Sequence, residues 1–278
     1  MTLNAVIFGD LHCRFDYVER VADEIDRSEP PLCIFVGDFG FGDRRRIDGM
    51  DPRKWPFVDD RSPDEVLAPL VSLGCRFLYI LGNHDHDNED QYLPVVRSRA
   101  LHWTRNLDGR VVEVDGVRIA GLGGTFKQKV WMPGGDAPYE SAAHYLERNP
   151  KKVWHFRNPW AGHVQPHAKD RMNPGDRGSI FFDEFQALRG LQADVLVTHE
   201  PPGSDYVRSV GASCWDVISD LAQDMGAKAI IHGHVHHDYE ETLDNGITVF
   251  GRGLAHGTFL DLGRFRPDFS DDRQMHYA

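Results

Sequence analysis

The chain has 278 residues and a mass of 31.6 kDa, with 41% hydrophobic and 27% charged residues, which excludes a disordered, collagen-like or coiled-coil chain. Its net charge of −12, from 31 Lys and Arg against 43 Asp and Glu, argues against an extended nucleic-acid surface, which needs a basic face. No run reaches the ~18 consecutive apolar residues of a membrane span, and the opening MTLNAVIFGD reads as a strand, not a signal peptide, so a cytoplasmic protein without a membrane partner is expected.

Short apolar runs recur, each ending in a polar cluster. Ala5–Phe8 precedes Gly9-Asp10, and an amphipathic helix is expected over Phe15–Arg27. Leu32–Val36 precedes Gly37-Asp38 and is followed by a charged, loop-like stretch, Phe39–Arg61. A helix is expected over Pro63–Leu73, with Ser62 as N-cap and Pro63 at the first helical position. Phe77–Leu81 then precedes Gly82-Asn83. Val111–Val114 and Val117–Ala120 flank Asp115-Gly116, a strong hairpin signal that makes the sheet mixed. Helices are expected over Phe181–Leu188 and Cys214–Met225, with Val195–Val197 before Thr198-His199 and Ala229–Ile231 before His232-Gly233-His234. Continuous Val- and Ile-rich runs of this length read as strands buried on both faces, and their alternation with helices gives an α/β fold.

Residues 127–180 break this rhythm. They hold Trp131, Trp154 and Trp160, and nine Lys or Arg against five Asp or Glu, a local +4 in an acidic chain. Long irregular segments inside compact domains are commonly functional, and this one is read as an inserted cap or lid. The expected organisation is one domain over 1–262 with that insertion inside it, and a surface tail over 263–278. The four cysteines are scattered without a CxxC and read as free thiols of a reducing compartment.

Each strand-like run outside the hairpin is followed by metal-ligating residue types: Asp10-Leu11-His12, Asp38, Asn83-His84, His199 and His234-Val235-His236. Ligands of open α/β sheets bind beyond the carboxyl ends of the strands, so these segments should converge. Residues two apart point the same way in an extended chain, so both members of Asp-x-His and His-x-His can reach one site. Besides His84 there are two carboxylates, one amide oxygen and four imidazoles, a set that suits two ions rather than one. Mixed imidazole and carboxylate ligation suits Mn, Fe, Zn, Co or Ni, with Mn first. Two such ions clamp an in-line displacement at phosphorus, with a bridging, acidified water as nucleophile.

The ordered motifs Gly9-Asp10-Leu11-His12, Gly37-Asp38, Gly82-Asn83-His84-Asp85, Thr198-His199 and Gly233-His234-Val235-His236 resemble those of the calcineurin-like metallophosphoesterases. The resemblance implies two mixed sheets packed as a sandwich flanked by helices. It implies that Asp10, His12 and His236 hold one metal, that Asn83, His199 and His234 hold the other, and that Asp38 bridges. His84 would contact the phosphate and protonate the leaving oxygen, and Asp85 would orient a histidine. The departures narrow the field. Phe41 stands where phosphoprotein phosphatases carry an Asp and purple acid phosphatases a Tyr, and Cys13 replaces a Gly of the diadenosine tetraphosphatase type.

The sequence therefore reads as a dimetal phosphoester hydrolase acting on a small or nucleotide-like phosphodiester. A phosphomonoesterase is the alternative, and a nuclease or a non-catalytic scaffold ranks below both. Candidate substrate contacts are Lys127, Lys129, Arg148 and Arg157 of the basic insertion. Its tryptophans are balanced between stacking a base and forming a small core. His163 and His167, spaced i,i+4 but separated by Pro166, read as a polar loop rather than a third metal site. His86 and His237 read as structural, and His232 as a core or supporting residue. The oligomeric state is left open.

Overall fold

The computed structural model describes residues 2–154 and 168–266. Its strands are β1 (Asn4–Phe8), β2 (Leu32–Phe35), β3 (Arg76–Tyr79), β4 (Arg110–Val114), β5 (Val117–Leu122), β6 (Val195–Thr198), β7 (Ala229–His236), β8 (Tyr239–Thr242), β9 (Thr248–Gly253) and β10 (Gly257–Asp261). They form a four-stranded sheet in the order β10-β1-β2-β3 and a six-stranded sheet in the order β4-β5-β6-β7-β9-β8. Both are mixed: β1, β2 and β3 run parallel while β10 is antiparallel to β1, and β5, β6, β7 and β9 run parallel between antiparallel edges.

The continuous apolar runs are explained by burial on both faces. In β1, Ala5 and Ile7 face the other sheet, packing with Ile34 and Val36 against Val117, Ile119, Val195, Val197 and Ile231. Their neighbours Val6 and Phe8 face outward and pack with Phe35 under the helical residues Val18, Val21, Leu67 and Leu70. The outer face of the larger sheet is covered in the same way, with Leu196 and Ile230 packed against Phe185, Leu188, Ile218 and Leu221. The result is a sheet-on-sheet sandwich with helices outside, in which side chains alternate between two cores.

Local chemistry accounts for the details. The hairpin between β4 and β5 turns at Asp115 and Gly116, both at positive φ (48° and 77°), as the two central positions of a type I′ turn require. Ser62 caps the next helix in a reciprocal capping box with Glu65. The single helix expected over 63–73 is instead two segments, Pro63–Val66 and Ala68–Ser72. Pro69 has no N–H to donate to the carbonyl four residues earlier, so the ladder breaks there. The edge strands β8 and β10 gave no apolar run, because they are only partly buried.

The described parts of 127–180 are packed, not detached. Trp131 is buried against Phe126 and Phe185, and Tyr145 of the helix Ala142–Arg148 lies in the same core. Trp154 meets Tyr92 edge-on, and the Arg177 guanidinium lies 3.8 Å from the Tyr92 ring centre and 4.8 Å from that of Trp154. Trp160, His163, His167, Arg157 and residues 267–278 lie outside the described residues.

One buried carboxylate ties this segment together. Asp176 accepts a hydrogen bond from the Tyr145 hydroxyl at 2.9 Å and pairs with Lys129 and, at 3.3 Å, with Lys152. Burial raises its pKa, but these donors outweigh burial and hold it below the ordinary carboxylate value. Its contribution is therefore fully present above the unfolded value of about 3.9 and is lost as the pH falls through the lower folded value. Asp176→Asn is expected to cost about 2–3 kcal/mol at pH 7. It should also shrink the loss of stability between pH 5 and pH 2, which urea melts at a series of pH values would measure.

Candidate metal centre

The strand ends do converge. Asp10 and His12 follow β1, Asp38 follows β2, Asn83 and His84 follow the β3 segment, His199 follows β6, and His234 and His236 lie at the end of β7. The backbone there departs from regular structure. Among the described residues, His12 (φ 43°), Asp38 (51°), His234 (70°) and His236 (62°) are four of the seven non-glycine residues at positive φ. Each takes a conformation that costs on the order of 1 kcal/mol and persists only where the surroundings enforce it. The β7–β9 register slips between His232 and His236, which turns His234 and His236 off the sheet.

Two clusters result. The ligating atoms of Asp10, His12 and His236 lie within 4.8 Å of one another, and so do those of Asp38, His199 and His234. His12 Nε2 and His236 Nε2 stand 3.1 Å apart, and His236 Nε2 is 3.1 Å from Asp10 Oδ2. Asn83 Oδ1 is 3.0 Å from His199 Nε2. Asp38 links its cluster to the other, with Oδ2 at 3.4 Å from His199 Nε2 and 3.7 Å from His12 Nε2. The donor set fits divalent transition ions: it mixes imidazoles with carboxylates, and Asp10 Oδ1 is buried without a hydrogen-bond partner.

The surroundings fix these donors in place. His199 is fully buried, and its Nδ1–H donates to the Val36 carbonyl at 2.8 Å, which leaves Nε2 for the cluster. The backbone N–H of His234 donates to Asp10 Oδ2 and that of His84 to Asp38 Oδ1, each at 2.9 Å. Two glycines make room for the carboxylates: a Cβ on Gly82 would overlap Asp38 Oδ1, and one on Gly233 would overlap Asp10 Oδ1 and the Val36 side chain. Neither glycine has positive φ, so close approach, not a left-handed turn, demands them.

Burial pushes the Asp38 carboxyl up, but the charge of His199 and its hydrogen bond, then His84, hold it well below the usual carboxylate range. Burial likewise pushes His199 down, and Asp38 more than reverses that, raising it to about 10. Burial, with His199 next, pushes His234 down to about 4.

A model of the calcineurin-like phosphoesterase family matches residues 3–238. The chain belongs to this family. An uncharacterized protein of Haemophilus influenzae is 35% identical over 167 residues, which are 59% of this chain and 64% of that protein, so the match spans less than two thirds of the relative's length. The fold is shared with a Thermus thermophilus protein at TM-score 0.53 and 12% identity, covering 95% of this chain and 96% of that one. It is shared also with a dimetal phosphatase from Danio rerio at TM-score 0.54 and 15% identity, covering 91% and 88%.

Within this calcineurin-like site, Asp85 does not orient a histidine. Its buried carboxylate accepts three backbone N–H bonds, from Asp38 at 2.8 Å and from Phe39 and Gly82 at 2.9 Å each, so it joins two loops. The carboxylate that meets a histidine is Asp87, which accepts from His84 Nδ1–H at 2.8 Å. That bond, against burial and assisted by Asp38, raises His84 to about 9. The signal in the sequence was the i,i+3 spacing, which stacks two residues on one side of a 3₁₀ turn, here His84–His86. His232 is buried and bonds the Tyr239 hydroxyl through Nε2 at 2.6 Å, and His86 is buried and stacked on Tyr92. His237 is exposed and bonds the Tyr206 hydroxyl at 3.1 Å.

The candidate substrate contacts separate. Lys129 is committed to Asp176, and Arg148 is exposed with Nε 3.4 Å from His144 Nε2. Arg157 lies outside the described residues. Lys127 is half-buried, with Nζ donating to the Gly175 carbonyl at 3.0 Å.

Gly233→Ala forces Asp10 and Val36 to move. It is expected to cost about 1–3 kcal/mol of stability and to lower the metal bound per chain, read by elemental analysis beside a thermal melt.

Proposed function

We propose that the chain is a metal-dependent hydrolase of small phosphoesters, with Asp10, His12 and His236 holding one ion and Asn83, His199 and His234 the other. Asp38 is shared between them. The observation that carries this reading is the position of Asp38, a member of one three-residue cluster whose carboxylate also comes within 3.7 Å of His12 in the other. Divalent ions bound by these residues would supply Lewis-acid charge for the phosphoryl oxygens and would acidify a water, and Mn is the first ion to try.

The chain's own residues do the rest. Asp85 holds the loops bearing Asp38 and Asn83 in register through their backbone N–H groups. His84 is half-exposed at the edge of the clusters, its ring centre 5.3 Å from that of His12. With Nδ1 committed to Asp87, its Nε2 is the nitrogen that donates to a phosphoryl oxygen and passes a proton to the leaving oxygen.

Within this class we read the substrate as a small or nucleotide-like phosphodiester, supported by Lys127 of the insertion, whose Nζ reaches the Gly175 carbonyl beside the His84 turn. A phosphomonoester is favoured by one specific observation. Trp131 is buried in the core and Trp154 is packed against Tyr92 and Arg177, so neither presents a free face to a base. Residues 1–262 are read as one domain with 127–180 inserted in it. No helix among the described residues is long and apolar enough to cross a membrane.

Metal-stripped protein should hydrolyse neither p-nitrophenyl phosphate nor bis-p-nitrophenyl phosphate, and added Mn should restore turnover. Asp38→Asn should lower kcat by about 10³-fold or more, through loss of the metal site. His84→Ala should lower it by about 10²–10⁴-fold with metal content unchanged. Turnover that survives both substitutions would refute the assignment, and the ratio of the two substrates ranks diester against monoester.

A further inference from the structure

We propose that Lys127 is the specificity-determining cation of this site, binding a second phosphate that the substrate carries beyond the scissile one. The proposal rests on the phosphoesterase reading above. It selects one cation among the basic residues of the insertion, and it does so from position and charge.

Position comes first. The Lys127 backbone is anchored, because its carbonyl accepts from Val130 N–H at 2.8 Å and Trp131 N–H at 2.9 Å. The preceding residue, Phe126, donates its N–H to Glu200 Oε1 at 3.0 Å, and Glu200 follows His199 directly. The side chain reaches the opposite way, to the carbonyl of Gly175. Gly175 packs against the His84 turn: a Cβ built on it would stand 3.7 Å from the Asp87 carbonyl oxygen and 4.0 Å from that of His86. Lys127 is thus strung between the loop that carries His199 and the turn that carries His84. A phosphoester held at the Asp38, His199 and His234 cluster with its leaving group at His84 would need to reach only past the His84 turn, against which Gly175 packs, to meet this ammonium.

Charge comes second. Lys129 and Lys152 face Asp176. Lys169 is buried, 2.6 Å from Glu184 and 3.6 Å from Asp108. Lys151 is exposed. Lys127 alone among these is half-buried with no carboxylate within 4.0 Å among the described residues, its one partner being a neutral carbonyl. An ammonium has three donors, so two remain for an anion. Partial burial strengthens that attraction relative to open solvent. Burial, with Lys129 next, lowers the Lys127 pKa against the more distant charges of Asp87 and Asp176. A phosphate, offering two oxygens and a negative charge, completes the set.

The test uses full-length, Mn-loaded protein and two probes, adenosine 5′-monophosphate and adenosine 3′,5′-bisphosphate. Their affinities are read both by calorimetry and as competitive inhibition of p-nitrophenyl phosphate hydrolysis. Wild-type protein should bind the bisphosphate about tenfold more tightly. Lys127→Met and Lys127→Gln should each reduce that preference to within about twofold with unchanged melting temperature, and Lys127→Arg should retain it. No preference in the wild type, a preference preserved in Lys127→Met, or no binding of either probe overturns the proposal. Calorimetry needs no turnover, so protein that hydrolyses no ester yet keeps the Lys127-dependent preference would sink the phosphoesterase reading while keeping Lys127 as the residue that binds the second phosphate.

Discussion

The site depends on a buried carboxylate that touches no metal cluster directly. Asp85 gathers backbone N–H groups from the loop after β2 and the loop after β3. Those loops carry Asp38 on one side and Asn83 and His84 on the other. Three convergent N–H groups hold a carboxylate as no water-exposed partner could, because inside the protein each such bond is stronger and its loss costlier. Without that tie, the left-handed backbone at Asp38 would relax, and Asp38 would leave the gap between the two clusters.

The same economy of space runs through the rest of the centre. Two parallel strand bundles from separate sheets end at one level, and their exits must turn sharply to bring seven donors together. Strain is accepted at four of those donors, and glycines without side chains are placed where carboxylates need the volume. The packed sandwich beneath enforces both, since its two cores leave the strands no freedom to shift register. The centre is in this sense a property of the sheet ends more than of any loop.

The basic insertion shows how far formal charge can mislead. A local excess of +4 pointed to substrate contacts at Lys127, Lys129, Arg148 and Arg157. Several cations of the insertion are engaged in ion pairs, Lys129 and Lys152 with Asp176 and Lys169 with Glu184. Ion pairs of this kind fix a segment in place and contribute little field outside it. Lys127 differs from them in that its Nζ donates to a neutral carbonyl, that of Gly175.

The sequence by itself determined the α/β class, the principal strands and the hairpin at Asp115-Gly116, and it marked Asp10, His12, Asp38, Asn83, His199, His234 and His236 as candidate donors. These were legible because they are local: apolar runs mark doubly buried strands, and ligand types recur at the strand ends. Tertiary structure alone decided which strands share a sheet, since pairing of β1 with β10 joins residues far apart in the chain. It decided that the helix over 63–73 breaks, that Asp85 binds backbone while Asp87 meets His84, and that Trp131 is core. The reason is the same in each case. A residue type and its spacing set what a side chain can do, but its partner is fixed only when distant segments are brought within hydrogen-bond reach.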